Sequence, residues 1–223
     1  MSKITNLPTT YINWGPYVMR TKMPDYIVKK LKTEGKKAKE SYNHKLAGHL
    51  DNQFLYPQKI QEWFYSEVHP IITAYRNGHC KYHGIEDLNV DFLAEDLWVN
   101  YMKAGEWNPS HNHTGDISCV TYLKVPKEIS EENEKGEHTK VSNTPSAGRI
   151  EFQFGNVGMP YSSGGYIRTP EERKIFFFPA ALSHMVYPFK SDTERVSMSV
   201  NFSDRIHAQE TLKQVGERWL VLH

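Results

Sequence analysis

Two histidines one residue apart, His111 and His113, stand in NPSHNHTGD (residues 108–116) with a carboxylate, Asp116, three residues further on. If the backbone is extended there, alternate side chains point the same way and both imidazoles reach one ion. Asp116 offers a carboxylate from the turn TGD. A third imidazole, His184, follows KIFFFPAALS, where a strand ends. Two ligands near one strand and a third about seventy residues later suit a barrel, whose facing strands lie far apart in sequence. An imidazole–carboxylate face with open positions suits non-haem Fe(II), because a cosubstrate and oxygen must bind the same ion. Taken alone, His-x-His is more often a pair of surface histidines. The pattern is short and the chain holds 11 histidines.

The stretch FFFPAALSHMVYPFKSDTERVSMSVNF adds a second kind of chemistry. It orders a Pro-bounded apolar strand, His184, Val186, Pro188, and then Arg195 at the start of a final strand. On adjacent antiparallel strands, His184 and Arg195 would line one pocket from two depths. The histidine would hold metal; the guanidinium would pair bidentately with the far carboxylate of a dicarboxylic acid. Lys190 competes for that carboxylate, but a loop lysine beside Ser191 and Asp192 reads as solvated. Asn100 and Asn108 read as braces for the metal loop or as turn residues bonded to their own backbone. Arg168 follows two glycines in a loop and needs no special role.

The elements that must position these groups divide the chain. Residues 25–80 read as mostly helical. In QKIQEWFYSEVHPIITAYRNG the apolar positions Ile60, Trp63, Phe64, Val68, Ile71, Ile72 and Tyr75 recur at three- and four-residue steps, the spacing of one buried helical face. Pro70 predicts a kink or two short helices, and Gly78 a stop. KKLKTEGKKAKESYNHK, with seven lysines against two glutamates, reads as a solvated face. After about residue 88 the texture changes to DLWVNYMKAG, ISCVTYLKVP, GRIEFQFG, KIFFFPA and RVSMSVNF. These are short runs rich in β-branched and aromatic residues, bounded by Gly, Pro, Asn or Asp. Successive strands without helical patterns between them point to an antiparallel sandwich or barrel. The polar stretch 127–147 reads as an exposed, mobile insertion. The organisation expected is a helical support region over 1–87 and a β core over 88–223, together one domain.

Composition excludes some classes. With 223 residues, 39% of them hydrophobic, the chain can bury a full core. A net charge of +1 gives no global attraction to nucleic acid or anionic membrane. Two cysteines, no apolar run of transmembrane length and no signal-peptide pattern lead to the expectation of a soluble, cytoplasmic protein.

On these motifs the chain resembles the Fe(II)- and 2-oxoglutarate-dependent oxygenases, most closely their prolyl-hydroxylase-like branch with its bacterial and phage relatives. The resemblance covers roughly residues 90–203. Its most specific element is the ending H-x-V-x-P…R-x-S-x-S-x-N, supported by GRIEFQFG and FFFPA. It implies a double-stranded β-helix (jelly roll) core and a mainly β fold with N-terminal helices. It implies Fe(II), 2-oxoglutarate and O2 as cofactor and cosubstrates, with a C–H bond hydroxylated and succinate and CO2 as co-products. Residue by residue, His111 matches the first metal histidine and His184 the distal one. Arg195 matches the partner of the 2-oxoglutarate C5 carboxylate, Tyr122 a tyrosine that helps hold it, and Tyr101 an aromatic bordering the cosubstrate. Ser197, two residues past Arg195, adds a hydroxyl. The family's second ligand is an aspartate two residues after the first histidine, where this chain has His113. Three solutions are open: a three-histidine site through His113, a carboxylate supplied by Asp116, or a site without iron. The resemblance makes a protein or peptide side chain, proline among them, the leading substrate, with a small metabolite as the other possibility. Residues 127–147 and the GMPYSSGGY loop would act as lids. The rival from another class is a non-catalytic jelly roll that binds metal or a partner, and a third reading is a metalloenzyme without 2-oxoglutarate.

Overall fold

In the computed structural model, residues 15–86, 91–135, 142–155, 164–204 and 220–221 are described. Their strands are β1 (Met19–Lys22), β2 (Glu40–Ser41), β3 (Asn52–Leu55), β4 (Phe92–Met102), β5 (Asn108–His111), β6 (Ile117–Lys124), β7 (Ile150–Gln153), β8 (Gly165–Arg168), β9 (Lys174–Pro179), β10 (His184–Val186), β11 (Arg195–Asp204) and β12 (Leu220–Val221). The helices are α1 (Asp25–Gly35), α2 (Gln58–His83) and α3 (Lys127–Lys135). A major sheet runs β1-β9-β6-β11-β4-β3-β2, with β12 also on β4; a minor sheet runs β5-β10-β7-β8. All pairings are antiparallel. This is the jelly-roll arrangement of the mainly β class that the strand texture and the resemblance imply.

The major sheet is buried on both faces, which sets the layers. Side chains alternate across a strand. On β11, Val196, Met198, Val200 and Phe202 therefore face α1 and α2 and join a core with Ile27, Leu31, Phe64 and Val68. The other face packs against the minor sheet through a second cluster that includes Tyr122, Phe176, Phe178, Phe152, Ile150 and Val186. The helices are amphipathic supports for the first face, and the site lies on the second.

Three local expectations are corrected. Residues 40–55, expected to be helical, contribute β2 and β3 to the major sheet, because Asn52–Leu55 pairs with Trp98–Tyr101 of β4. Helix α2 runs unbroken through Pro70 and Gly78 and ends at Gly84, which takes the left-handed conformation (φ 66°) that a side chain would resist. Pro70 lacks one ladder hydrogen bond, but the buried face of Phe64, Val68, Ile72 and Tyr75 continues across it. The start of the supposed mobile insertion is helix α3. Its single large apolar residue, Ile129, is fully buried, and the Glu132 carboxylate accepts the backbone N–H groups of Lys190 (3.0 Å) and Ser191 (2.6 Å). Residues 136–141, and most of GMPYSSGGY (158–166), lie outside the described residues. Among the described residues no helix is long and apolar enough to cross a membrane.

Candidate active site

Strand register brings the histidines together. β10 pairs with β5 so that His184 stands directly opposite His111, with ring centroids 4.3 Å apart. His113, just past β5, is anchored by its backbone N–H to the Ala180 carbonyl (2.9 Å). Its ring closes the group, with Nε2 3.2 Å from Nε2 of His184. One ligand atom from each of the three lies within 4.8 Å of the others.

The backbone selects which ring nitrogen is offered. His111 Nδ1–H donates to the Pro109 carbonyl (2.7 Å) and His184 Nδ1–H to that of Leu182 (3.0 Å). Each Nε2 is left with its lone pair toward the cluster, the second-sphere arrangement that orients metal-binding imidazoles. Phe152 and Phe178 flank His184 and keep water from it, at ring-centroid distances of 6.0 and 4.9 Å. Burial, reinforced by the neighbouring imidazoles, holds His113 down to about 3 and His184 down to about 4. Burial lowers His111 as well. All three are therefore neutral at physiological pH, the form that ligates a metal.

Asp116 stands elsewhere. Its carboxylate accepts the Asp204 N–H (2.7 Å), and its backbone bonds to Phe202 and Ala180, so it ties the ends of β6, β9 and β11 together. The cluster of metal-capable groups among the described residues contains three histidines and no carboxylate.

Arg195 and His184 share one cavity but not adjacent strands. Arg195 is on β11 of the major sheet, between β4 and β6, whereas His184 is on β10 of the minor sheet. The two groups meet across the space between the sheets, in a cavity of about 160 Å³ lined also by Tyr122, Ser197, Asn100, Trp98 and the three histidines. Arg195 is 2% exposed. One N–H donates to the Gly148 carbonyl (2.8 Å), while Nε has no partner. Gly148 presents that carbonyl from a left-handed turn (φ 63°), and a side chain there would strike Ile129 of α3. The guanidinium carbon lies 5.5 Å from the centroid of the Tyr122 ring, whose hydroxyl is buried and equally unpartnered. Burial raises Tyr122 to about 12, so its hydroxyl stays protonated as a donor.

Among the described residues no carboxylate pairs with Arg195. A buried cation left uncompensated is costly. A carboxylate entering the cavity would receive the Arg195 Nε–H and the Tyr122 hydroxyl at once. The donor set thus fits 2-oxoglutarate, with three imidazoles at one end for a metal and a cation with a phenol at the other for the far carboxylate. Ser197, directly opposite Tyr122 in register, adds a hydroxyl to the same wall.

Tyr101 does not line this cavity. Alternation along β4 turns Trp98, Asn100 and Met102 inward and sends Tyr101 with Val99 to the helix side, where its ring meets Phe54 (6.2 Å). The inward position belongs to Asn100. Sequence reasoning also missed Gln53 and the 45–48 loop, which line the same cavity from a region read as helical.

Residues 96–201 match the family described as "Putative 2OG-Fe(II) oxygenase", a span that runs from inside β4 through most of β11. No curated protein matches the chain by sequence. Solved structures share the fold. A Pseudomonas putida prolyl-4-hydroxylase is 14% identical, with TM-score 0.52 over 84% of this chain and 92% of that one. The viral collagen prolyl hydroxylase of Paramecium bursaria Chlorella virus-1, solved with 2-oxoglutarate, is 14% identical, with TM-score 0.50 over 84% and 96%. HygX of Streptomyces hygroscopicus, solved with nickel, 2-oxoglutarate and hygromycin B, is 7% identical, with TM-score 0.56 over 86% and 84%. The matched span carries His111, His113, His184 and Arg195, and the chain shares the fold of these solved structures around its three convergent histidines.

Proposed function

We propose that the protein hydroxylates a C–H bond of a protein or peptide substrate, a prolyl ring being the first candidate. The balance is R–H + 2-oxoglutarate + O2 → R–OH + succinate + CO2. The observation that carries this reading is a buried guanidinium with an unpartnered Nε and a buried, unpartnered phenol hydroxyl lining the same cavity as three histidines whose ligand atoms lie within 4.8 Å of one another. The prolyl side chain is favoured by likeness to two prolyl hydroxylases.

His111, His113 and His184 would hold the iron; Asp116, committed to the Asp204 amide, is the weaker second ligand. When bound, iron with 2-oxoglutarate supplies the oxidising power for the C–H bond. The chain's own residues do the rest. Arg195 and Tyr122 fix the far carboxylate and so set how far the keto-acid end reaches toward the histidines. Pro109 and Leu182 hold the imidazole tautomers. Phe152 and Phe178 exclude water beside His184, and a dry site keeps each of these contacts strong. We place the protein in the cytoplasm, in keeping with its composition.

An anaerobic titration of the metal-free protein with Fe(II) and then 2-oxoglutarate tests the site through the chelate's visible charge-transfer band. With oxygen and proline-containing peptides, succinate should then form in equal amount with a product heavier by one oxygen. Absence of the band in folded protein would refute the site. A band with succinate but no peptide oxidation would refute the substrate class.

A further inference from the structure

At the other wall of the cavity, two carboxamide side chains each hold one buried polar atom without a partner. Gln53 is 2% exposed, on β3, and its Nε2 makes no hydrogen bond; Asn108, at the start of β5, has an unpartnered Oδ1. Both line the cavity that holds the histidines and Arg195. Gln53 lies directly opposite Asn100 on β4, and Asn100 directly opposite Ser197 on β11. The polar row therefore extends from the Tyr122 wall, through Ser197 and Asn100, to Gln53.

The arrangement is held from outside. The Asn43 side chain bonds to the carbonyl of Leu50 (2.6 Å) and accepts the Gln53 N–H (3.3 Å). His49 bonds through its backbone to Trp107 (2.9 Å) and stacks on that indole (5.3 Å). These ties pin the loop 45–49 over the cavity. At its centre is Gly48, where an added methyl group would collide with Asn108 Oδ1 and press on Gln53 Oε1. The absence of a side chain lets the loop close over both carboxamides. Gln53 and Gly48 lie outside the matched span of 96–201.

We propose that Gln53 and Asn108 form a subsite for an amide group of the substrate, a peptide unit or a primary carboxamide. A carboxamide side chain offers both a donor and an acceptor and carries no charge. An amide returns the same pair: its carbonyl accepts from Gln53, and its N–H donates to Asn108. A carboxylate could not donate and an ammonium could not accept. Either would bring an uncompensated charge into a buried wall. Leaving both groups unpaired costs free energy, and this same cost rejects ligands that lack one of the two functions. The subsite stands on its own geometry; its role in choosing the group to be oxidised rests on the oxygenase reading above.

The test is saturation-transfer NMR on protein loaded with Zn(II) and 2-oxoglutarate, which is diamagnetic and does not turn over. The probes are N-methylacetamide for a peptide source, acetamide for a carboxamide source, and methyl acetate, which lacks the N–H. N-methylacetamide or acetamide should bind about fivefold more tightly than methyl acetate, the value of one neutral hydrogen bond. The tighter of the two amides identifies the source. Gln53→Met should bring the amide down to the ester, and Asn108→Leu tests the acceptor side by the same comparison. Equal binding of amide and ester, no binding of either amide, or amide binding unchanged in both variants would overturn the proposal. Calorimetric titration of the Zn(II)-loaded protein with 2-oxoglutarate, before any amide or ester is added, reports separately on the oxygenase reading, so its failure and the subsite's are distinguishable.

Discussion

On the helix side of β11, Val196, Met198, Val200 and Phe202 are buried against other apolar side chains, and every contact is made within the protein. On the cavity side of the same strand, Arg195, Ser197, Ser199 and Asn201 are buried to a similar degree. Arg195 nevertheless keeps an unpartnered Nε, and Tyr122 beside it an unpartnered hydroxyl. Apolar burial is self-sufficient, whereas polar burial left incomplete costs stability unless something binds. The two faces should therefore respond oppositely to substitution, one losing fold and the other ligand.

The largest expected effect is at the metal end. His113→Ala should weaken Fe(II) binding by more than the roughly 10–100-fold that outer-sphere partners contribute, since a ligand is removed outright. Asp116→Asn should leave Fe(II) affinity unchanged and lower stability by about 1 kcal/mol through the altered bond to Asp204. Calorimetric Fe(II) titration and thermal melting of the two variants read both effects. A reversed pattern would make Asp116 the ligand.

Next come the two faces of β11 themselves. Arg195→Met should cost about 2–5 kcal/mol of 2-oxoglutarate binding, at least about thirtyfold in Kd, as expected when one partner of a buried charge pair is truncated. Met198→Ala, one side of the strand away, should cost about 2–5 kcal/mol of folding stability and leave the 2-oxoglutarate Kd of the folded protein unchanged. If Met198→Ala loses cosubstrate affinity while fully folded, the separation of the faces fails.

How much of this was legible depended on the span of the interaction. The core strands DLWVNYM, ISCVTYLK, KIFFFP and RVSMSVNF were readable because each carries its own β-branched and aromatic pattern. His111, His113 and His184 stood out by spacing and by resemblance. Asn52–Leu55 was not readable as a strand: four residues between helices have no pattern of their own and become β by pairing with β4. Tyr101 failed for a related reason. On a strand buried on both faces, alternation says which residues share a side but not which side holds the cavity. His184 and Arg195 are close in sequence, which suggested neighbouring strands, but the chain passes from one sheet to the other between them. Helix α3 was hidden because a single buried isoleucine and a buried glutamate, accepting amides from a distant loop, outweigh a polar composition.

The metal-free protein should also show the polar face through pH. His113 and His184 have folded values of about 3 and about 4, below the ordinary 6.5, chiefly because burial disfavours the charged ring. The unfolded chain therefore binds more protons between about 4 and 6.5, and stability falls as pH falls through that window. The loss should reach the order of a few kcal/mol near the bottom of the window. Melting temperature in chelator between pH 7 and pH 4 measures it, and His184→Leu should flatten the slope. An unsloped curve in the parent protein would mean that the imidazoles are solvated.

The smallest effect has the most informative sign. Tyr122→Phe removes one buried hydroxyl that has no partner in the protein. On an apolar face such a loss would leave a gap; here it removes an unpaid desolvation cost, so the ligand-free variant should be as stable as the parent or slightly more so. The same hydroxyl, held protonated by burial, would donate to the far carboxylate of bound 2-oxoglutarate. Its loss should weaken that cosubstrate by about 1.5–3 kcal/mol, the range for a hydrogen bond to a charged group, or roughly 10- to 100-fold in Kd. Melting without ligand and calorimetry with it should therefore move in opposite directions. A variant that loses stability while keeping affinity would place Tyr122 in the packing of the sheet and leave Arg195 alone as the carboxylate's anchor.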